Sequence, residues 1–313
     1  MISDDIKTEN VTPCPLLHKY QRWLLNISCI ALTILSASAF ADMEKSVTLK
    51  LSFDQYSIPY TTFMINGYPV YTTIDTGSSF GFHLPESQLK KIKGLKKERT
   101  YRSTDVSGKV QNSIAYLAPT LDLNGIKLTN ITVTTLIRWG MVISGEGELP
   151  ESPAVGLGAF KDKQILLDYV SNSLTILDNV DYNSLIKDSF KEFTFQQSTD
   201  GLILDVEQSG HKYHMILDTG ASVSVVWSER LKSREPASCL LVDPEMDNKG
   251  CEATRFETKS KDGNPEQLWA VVVAGNFEHM GNIDGLIGNN FLKERKIFID
   301  FKNNKFFISN NKK

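Results

Sequence analysis

Asp75 and Asp218 each open an Asp-Thr-Gly tripeptide that follows an apolar run and precedes small residues. The two settings are Thr73-Ile74-Asp75-Thr76-Gly77-Ser78-Ser79 and Ile216-Leu217-Asp218-Thr219-Gly220-Ala221-Ser222. A carboxylate at the end of a buried strand is a costly placement. Its occurrence twice, in one local setting, implies that the two acids meet. Two carboxyls held close cannot both ionise, so one keeps a proton and an acid stands beside a base. One chemical difference separates the copies. Ser78 can donate a hydroxyl hydrogen bond toward the first carboxylate and Ala221 cannot, so Asp75 is expected to be the more often ionised partner.

The elements that must carry these acids are duplicated too. Gly67-Tyr68-Pro69-Val70-Tyr71-Thr72-Thr73-Ile74 leads into Asp75, and Gly210-His211-Lys212-Tyr213-His214-Met215-Ile216-Leu217 leads into Asp218. In both, a glycine stands where a hairpin turn would precede a strand. Upstream strands are expected over Val47 to Phe53, and over Phe193 to Phe195 with Leu202 to Val206. Downstream, Ala154-Val155-Gly156 and Leu286-Ile287-Gly288 are each followed by an aspartate-bearing strand, Gln164 to Tyr169 and Lys296 to Phe301. Each of those strands meets a polar turn and returns as an apolar run, which is hairpin chemistry. Helical signals are short: Pro85 to Ile92, and from Phe160 or Phe291 onward. The reading is a mostly β protein of two similar closed-barrel-like lobes with a cleft between them. The lobes span 46–177 and 193–310, joined by a linker over 178–192.

With both halves laid out, the chain resembles the aspartic peptidases of the pepsin and retropepsin superfamily over about residues 46 to 310. The resemblance rests on Asp-Thr-Gly followed by Ser or Ala, and on the later hydrophobic-hydrophobic-Gly element in each half. It implies the acid protease fold, with one aspartate from each lobe at a cleft on a pseudo-two-fold axis. Thr76 and Thr219 would then cross-link the two turns, and Gly156 and Gly288 would let a strand thread beneath each turn. Gly77 and Gly220 have a local reason as well, since a missing side chain lets backbone amides approach the carboxylates. The continuation Phe80-Gly81-Phe82-His83-Leu84-Pro85 departs from the pepsin pattern, which runs on to a tryptophan. The chain is also short for a pepsin, so it looks like two retropepsin-like units of a bacterial type fused in tandem. Two flap candidates follow from spacing: Ser107 and Gly108 in the first half, Lys249 and Gly250 in the second. Cys239 and Cys251 bracket the second and would staple it as a disulfide; an ordinary surface hairpin with a stabilising bridge remains the alternative.

The chemistry implied is peptide-bond hydrolysis by a water held between Asp75 and Asp218, with no cofactor and no metal. Asp168 and Asp300 are also paired, but their strand-hairpin setting reads as turn capping. His18, His83, His211, His214 and His279 show no triad or metal spacing, and Ser79 and Ser222 lie in no Gly-x-Ser-x-Gly elbow. Trp139, Met141, Trp227 and Trp269 are apolar pocket candidates, with core packing as the default reading.

Bulk properties agree with a globular protein. The chain has 313 residues, 41% hydrophobic and 23% charged, with a formal net charge of -3. That balance gives no electrostatic reason to invoke nucleic acid. The basic run from Lys90 to Arg102 reads as solvated surface. At the amino terminus, Lys19 and Arg22 precede an uncharged stretch, Trp23 to Ala41, ending in small residues. Residues 1–41 therefore read as an export signal, or as an uncleaved anchor, which is the one case that brings in a membrane. Cys14 and Cys29 lie in that leader, leaving Cys239 and Cys251 as an even pair suited to an oxidising compartment. The expectation is an exported, periplasmic or secreted endopeptidase acting as a monomer on peptide or protein substrates. The alternatives are a non-catalytic peptide-binding or inhibitor-like protein on the same fold, and a chain whose halves pair with those of a second copy.

Overall fold

The computed structural model describes residues 46–104, 109–138, 151–178, 181–186, 190–198, 201–246 and 249–309. The leader 1–41, Ser107, Gly108, Trp139 and Met141 lie outside the described residues. β1 (Ser46–Lys50) is followed by the strands of the first lobe. These are β2 (Ser52–Phe53), β3 (Pro59–Ile65), β4 (Tyr68–Asp75), β5 (Phe82–Leu84), β6 (Lys96–Thr104), β7 (Val110–Leu123), β8 (Ile126–Thr135) and β9 (Ala154–Gly156). Next come β10 (Gln164–Asp168), β11 (Ser173–Leu177) and β12 (Phe190–Phe193). The second lobe holds β13 (Phe195–Ser198), β14 (Gly201–Gln208), β15 (His211–Leu217), β16 (Val225–Trp227), β17 (Ala253–Lys259), β18 (Pro265–Val273) and β19 (Gly285–Ile287). The chain closes with β20 (Lys296–Asp300) and β21 (Lys305–Ser309).

The first lobe's sheet runs β2-β3-β4-β9-β5-β8-β7-β6, and Ile65 of β3 pairs with Leu123 of β7 to close it on itself. The second runs β13-β14-β15-β19-β16-β18-β17, closed by Glu207 of β14 against Glu257 of β17. Each is a small barrel, and the two strand orders match except for the added edge strand β6 of the first, so the expected pair of similar closed lobes is observed. The matched hairpins explain the common start. Asn66-Gly67 and Ser209-Gly210 all have positive φ, the two-residue turn whose twist suits adjacent antiparallel strands. In β4 and β15 the hairpin end is exposed and the aspartate end wholly buried, because that end runs into the boundary between the lobes.

A third sheet, β1-β11-β10-β20-β21-β12, takes strands from both halves. β10 and β20 pair antiparallel at its centre, with Leu166 opposite Phe298. This is where the two terminal hairpins go: each half gives its hairpin to a platform common to both lobes. Apolar packing of Phe298, Phe307, Leu177 and Tyr182 covers one part of it, and Phe193, Phe195 and Phe306 meet edge to face on another.

Local differences from the sequence reading have local causes. The single strand expected over Val47 to Phe53 is two, since Leu51 breaks the run and sends β1 to the shared sheet and β2 to the barrel. The helix expected over Pro85 to Ile92 is one turn, Glu86–Leu89. A 3-10 turn, Leu157–Ala159, ends at Phe160 rather than starting there, and a helical turn begins at Asn289, ahead of Phe291. Both start directly after the glycine that passes under the aspartate turn. Among the described residues the flap-like hairpin expected around Lys249 and Gly250 is not a strand pair. Those residues lie in a loop closed by the Cys239–Cys251 disulfide, and its pairing is the isolated bridge Ala237↔Ala253. One bridge with a 3-10 turn at Cys239–Leu241 leaves no ladder to extend. Among the described residues no helix is long and apolar enough to cross a membrane.

Candidate active site

β4 and β15 deliver Asp75 and Asp218 to the lobe boundary, each strand pairing in parallel with a short partner, β9 or β19. After each aspartate the backbone turns sharply. Ser78 N–H donates to the Asp75 carbonyl at 3.3 Å and Ala221 N–H to the Asp218 carbonyl at 3.2 Å. Gly77 N–H reaches Asp75 Oδ1 at 2.9 Å, and Gly220 N–H reaches Asp218 Oδ1 at 2.8 Å. The glycines are required by the opposite lobe. A Cβ on Gly77 would stand 2.7 Å from Asp218 Cγ, and one on Gly220 would stand 3.2 Å from Asp75 Oδ1. The two carboxyl groups thus face each other across the boundary, in hydrogen-bonding contact.

Below each turn passes the strand with the downstream glycine. A Cβ on Gly156 would meet the Phe80 carbonyl at 2.4 Å, and one on Gly288 the Val223 backbone at 2.5 Å. The residue after each glycine ties the turn down: Leu157 N–H to the Ser78 carbonyl at 2.8 Å, Asn289 N–H to the Ala221 carbonyl at 2.9 Å. The threonines form a reciprocal ladder. Thr76 Oγ1 donates to the Leu217 carbonyl at 2.7 Å and accepts from Thr219 N–H at 3.0 Å. Thr219 Oγ1 donates to the Ile74 carbonyl at 2.6 Å and accepts from Thr76 N–H at 3.0 Å. All of these groups are buried, so the ladder fixes the carboxylates as one unit.

Burial is the main reason both carboxyls are pushed above the ordinary aspartate range. Asp75 is pushed further, because the Asp218 charge adds to a site that is 1% exposed. Only the N–H groups of Gly77 and Ser78 oppose this, whereas Gly220, Ala221 and Gly77 all support a charge on Asp218. Asp75 Oδ2 is buried with no protein donor. This arrangement favours the shared proton on Asp75, against the expectation drawn from Ser78. The physical reason is that the Ser78 hydroxyl is engaged elsewhere: Ser78 Oγ lies 2.7 Å from His83 Nε2, and His83 Nδ1 lies 2.7 Å from Thr134 Oγ1.

Beneath Asp218 the support is different. Asn289 Nδ2 donates to the carbonyls of Thr219 and Ala221 at 2.8 and 2.9 Å, while its Oδ1 accepts from Tyr169 Oη at 2.6 Å. Sequence reasoning missed His83, Thr134, Asn289 and Tyr169 as parts of this site. A strand-by-strand overlay of the halves sets Asn289 against Leu157 and His83 against Val225.

The remaining candidates lie as follows. β6 and β7 form the arms of the first flap-like hairpin, paired from Lys96↔Leu117 to Thr104↔Val110. Asp168 accepts from the N–H groups of Val170 and Ser171, and Asp300 from Asn303 and Gln164, so both cap or brace hairpin turns. His214 Nδ1–H donates to Asp205 Oδ1 at 2.8 Å, away from the dyad. Trp227 is fully buried and stacks on Phe277 at 4.0 Å, a core role. Lys96, Lys97, Arg99 and Arg102 are exposed on the edge strand β6, as a solvated basic run should be.

Two closed β lobes, a shared sheet beneath them and a carboxyl pair between matched turns define the acid protease fold. No protein-family model matches the chain, and no curated protein does. Among solved structures the chain is similar to basic 7S globulin from soybean, at 9% identity and TM-score 0.49, over 86% of this chain and 95% of that one. It is similar in the same way to conglutin gamma, a basic 7S globulin from lupine seeds, at 10% identity and TM-score 0.47, with the same coverage. Likeness of that degree carries no argument about activity.

Proposed function

We propose that this chain is an exported aspartic endopeptidase, a single chain of two retropepsin-like halves that hydrolyses peptide bonds with the Asp75/Asp218 pair. The observation that carries this reading is an intact dyad: two buried carboxyls in contact, held by the symmetric Thr76/Thr219 ladder, both pushed toward the protonated form. In the forward step Asp218 takes a proton from a water as its oxygen attacks the scissile carbonyl. Asp75 donates its proton to the carbonyl oxygen, giving a tetrahedral diol. Asp218 then passes its proton to the leaving nitrogen as the C–N bond breaks, and a diol hydroxyl returns a proton to Asp75. Acid-base assistance of this kind is worth about 10²–10⁴-fold in rate. Export rests on the leader 1–41 together with the Cys239–Cys251 disulfide, a bond that persists in oxidising compartments.

The second reading is a protein that keeps the cleft for binding peptide without cutting it. It is opposed by the undamaged Asp-Thr-Gly in each half. One experiment separates them. The full chain is assayed on denatured protein between acidic and neutral pH, beside Asp75→Asn and Asp218→Asn. Cleavage by the wild type and by neither variant supports the peptidase; a folded wild type that binds a hydroxyl-containing peptide mimic yet cleaves nothing supports the binder.

A further inference from the structure

The two lobes serve as internal controls for each other. Through β5–β9 and β16–β19, His83 lies opposite Ala154 and Val225 opposite Leu286. Ala154 and Leu286 hold the same place beside the aspartate strands, so His83 and Val225 are equivalent. Through β5–β8 and β16–β18, Thr134 is the neighbour of His83 and Val271 the neighbour of Val225. Ser78 and Ala221 are equivalent in the turns. At three matched positions the second lobe carries Ala221, Val225 and Val271, and the first carries Ser78, His83 and Thr134. The polar three are joined by two hydrogen bonds of 2.7 Å. Barrel packing does not require them, since the other barrel closes on apolar residues at the same places.

Geometry also gives the direction of the protons. Thr134 Oγ1 has the Phe82 carbonyl as an acceptor at 3.5 Å, so its own proton can point there. His83 Nδ1–H then donates to Thr134, which leaves Nε2 as an acceptor for the Ser78 hydroxyl. His83 keeps a half-buried edge, yet protein surrounds it closely enough that desolvation pushes it down to about 4, so Nε2 remains an acceptor above that pH. Facing the imidazole are Ser78, Thr134 and the Phe80 ring, edge-on at 5.6 Å. The ionisable groups that join this shell are Asp75, beyond Ser78, and Tyr101, whose ring meets Phe80 at 5.0 Å.

We propose that His83 is a positioning residue that draws the Ser78 hydroxyl proton away from Asp75, so that the dyad's proton is kept on Asp75. Its importance for turnover rests on the peptidase reading; its effect on the Asp75 carboxyl does not. Replacing His83 with valine, the residue that fills the matched place in the other lobe, frees the Ser78 hydroxyl to donate to Asp75 and stabilises its ionised form.

The test is a double-mutant cycle read by 13C NMR titration of aspartate carboxyls in the full chain, with the Asp75 signal assigned by its loss in Asp75→Asn. His83→Val is expected to move the Asp75 titration to lower pH by about half to one unit, the value of one added hydrogen bond. The same change in a Ser78→Ala background is expected to move it by less than about a quarter of that. No acid shift in His83→Val, or an equal shift when Ser78 is absent, overturns the proposal. If the wild type cleaves peptides, both limbs of its pH–activity profile move with the titration. If it cleaves nothing, the peptidase reading falls while the titration still decides the role of His83.

Discussion

The turn at Asp75 and the turn at Asp218 share their backbone hydrogen bonds and differ in what stands behind them. Both have a glycine N–H on an inner carboxylate oxygen, both have a threonine in the ladder, and both sit over a strand glycine. Behind Asp75 lies a polar line of Ser78, His83 and Thr134. Behind Asp218 the same places are apolar, and the polar support comes instead from below, through Asn289 and Tyr169. The common part is what bringing two acids together demands. The unlike part is free to decide which acid holds the proton, because a hydrogen-bond donor gained or lost at one carboxyl shifts the pair.

The largest expected effect breaks the common part. Asp75→Asn and Asp218→Asn each lower kcat by about 10²–10⁴-fold on a peptide substrate, since each removes one half of the acid-base pair. Retained cleavage in either would show that the carboxyls do not act together. The Thr ladder comes next, and here the lobes should behave alike. Thr76→Val leaves Thr219 N–H and the Leu217 carbonyl unpaired, and Thr219→Val leaves Thr76 N–H and the Ile74 carbonyl unpaired. Each buried group left unpaired costs about 1–3 kcal/mol. Denaturant midpoints should fall by the same amount in the two variants; a clear inequality would mean that the ladder is symmetric in position only.

A smaller effect separates the two acids. A carboxyl raised by folding favours its protonated form, so the dyad's contribution to stability is full below the ordinary aspartate pKa and is lost as pH rises through the raised value. Melting temperature should accordingly decline from acid toward neutral pH in the wild type. Asp75→Asn should flatten that decline more than Asp218→Asn does. The first leaves Asp218 with its three N–H donors, while the second leaves Asp75 buried with two and with Oδ2 unpartnered. The opposite order, read by calorimetry across pH, would place the proton on Asp218.

How much of this could be read from the residues follows from the range of the interactions. The dyad, the ladder threonines and the glycines under the turns are all legible, because each lies within or directly beside a repeated short motif. The hairpins at Gly67 and Gly210 are legible for the same reason. The shared sheet was not, since nothing in Gln164–Asp168 announces that its partner is Lys296–Asp300. The engagement of Ser78 was hidden too: His83 reaches Thr134 across 51 residues, through a parallel pairing that no local pattern encodes. The supposed second flap failed in another way. Asp247 to Gly250 is good turn chemistry, but a turn signal does not say whether strands or a disulfide close the loop it sits in.

Tyr169→Phe carries the smallest expected effect and is the sharpest check on the comparison. The phenol donates to Asn289 Oδ1, and burial, followed by the Asp218 charge, holds it well above its usual pKa, so it stays neutral wherever the dyad titrates. Removing it leaves one acceptor unpaired, for a loss of about 0.5–1.5 kcal/mol in unfolding free energy. Asn289 keeps both of its contacts to the Thr219 and Ala221 carbonyls, which are backbone groups and not the carboxylate. The Asp75 titration and any pH–activity profile should therefore stay in place. If Tyr169→Phe moves them as far as His83→Val does, proton placement belongs to both lobes, and the contrast between a tuning side and a bracing side is wrong.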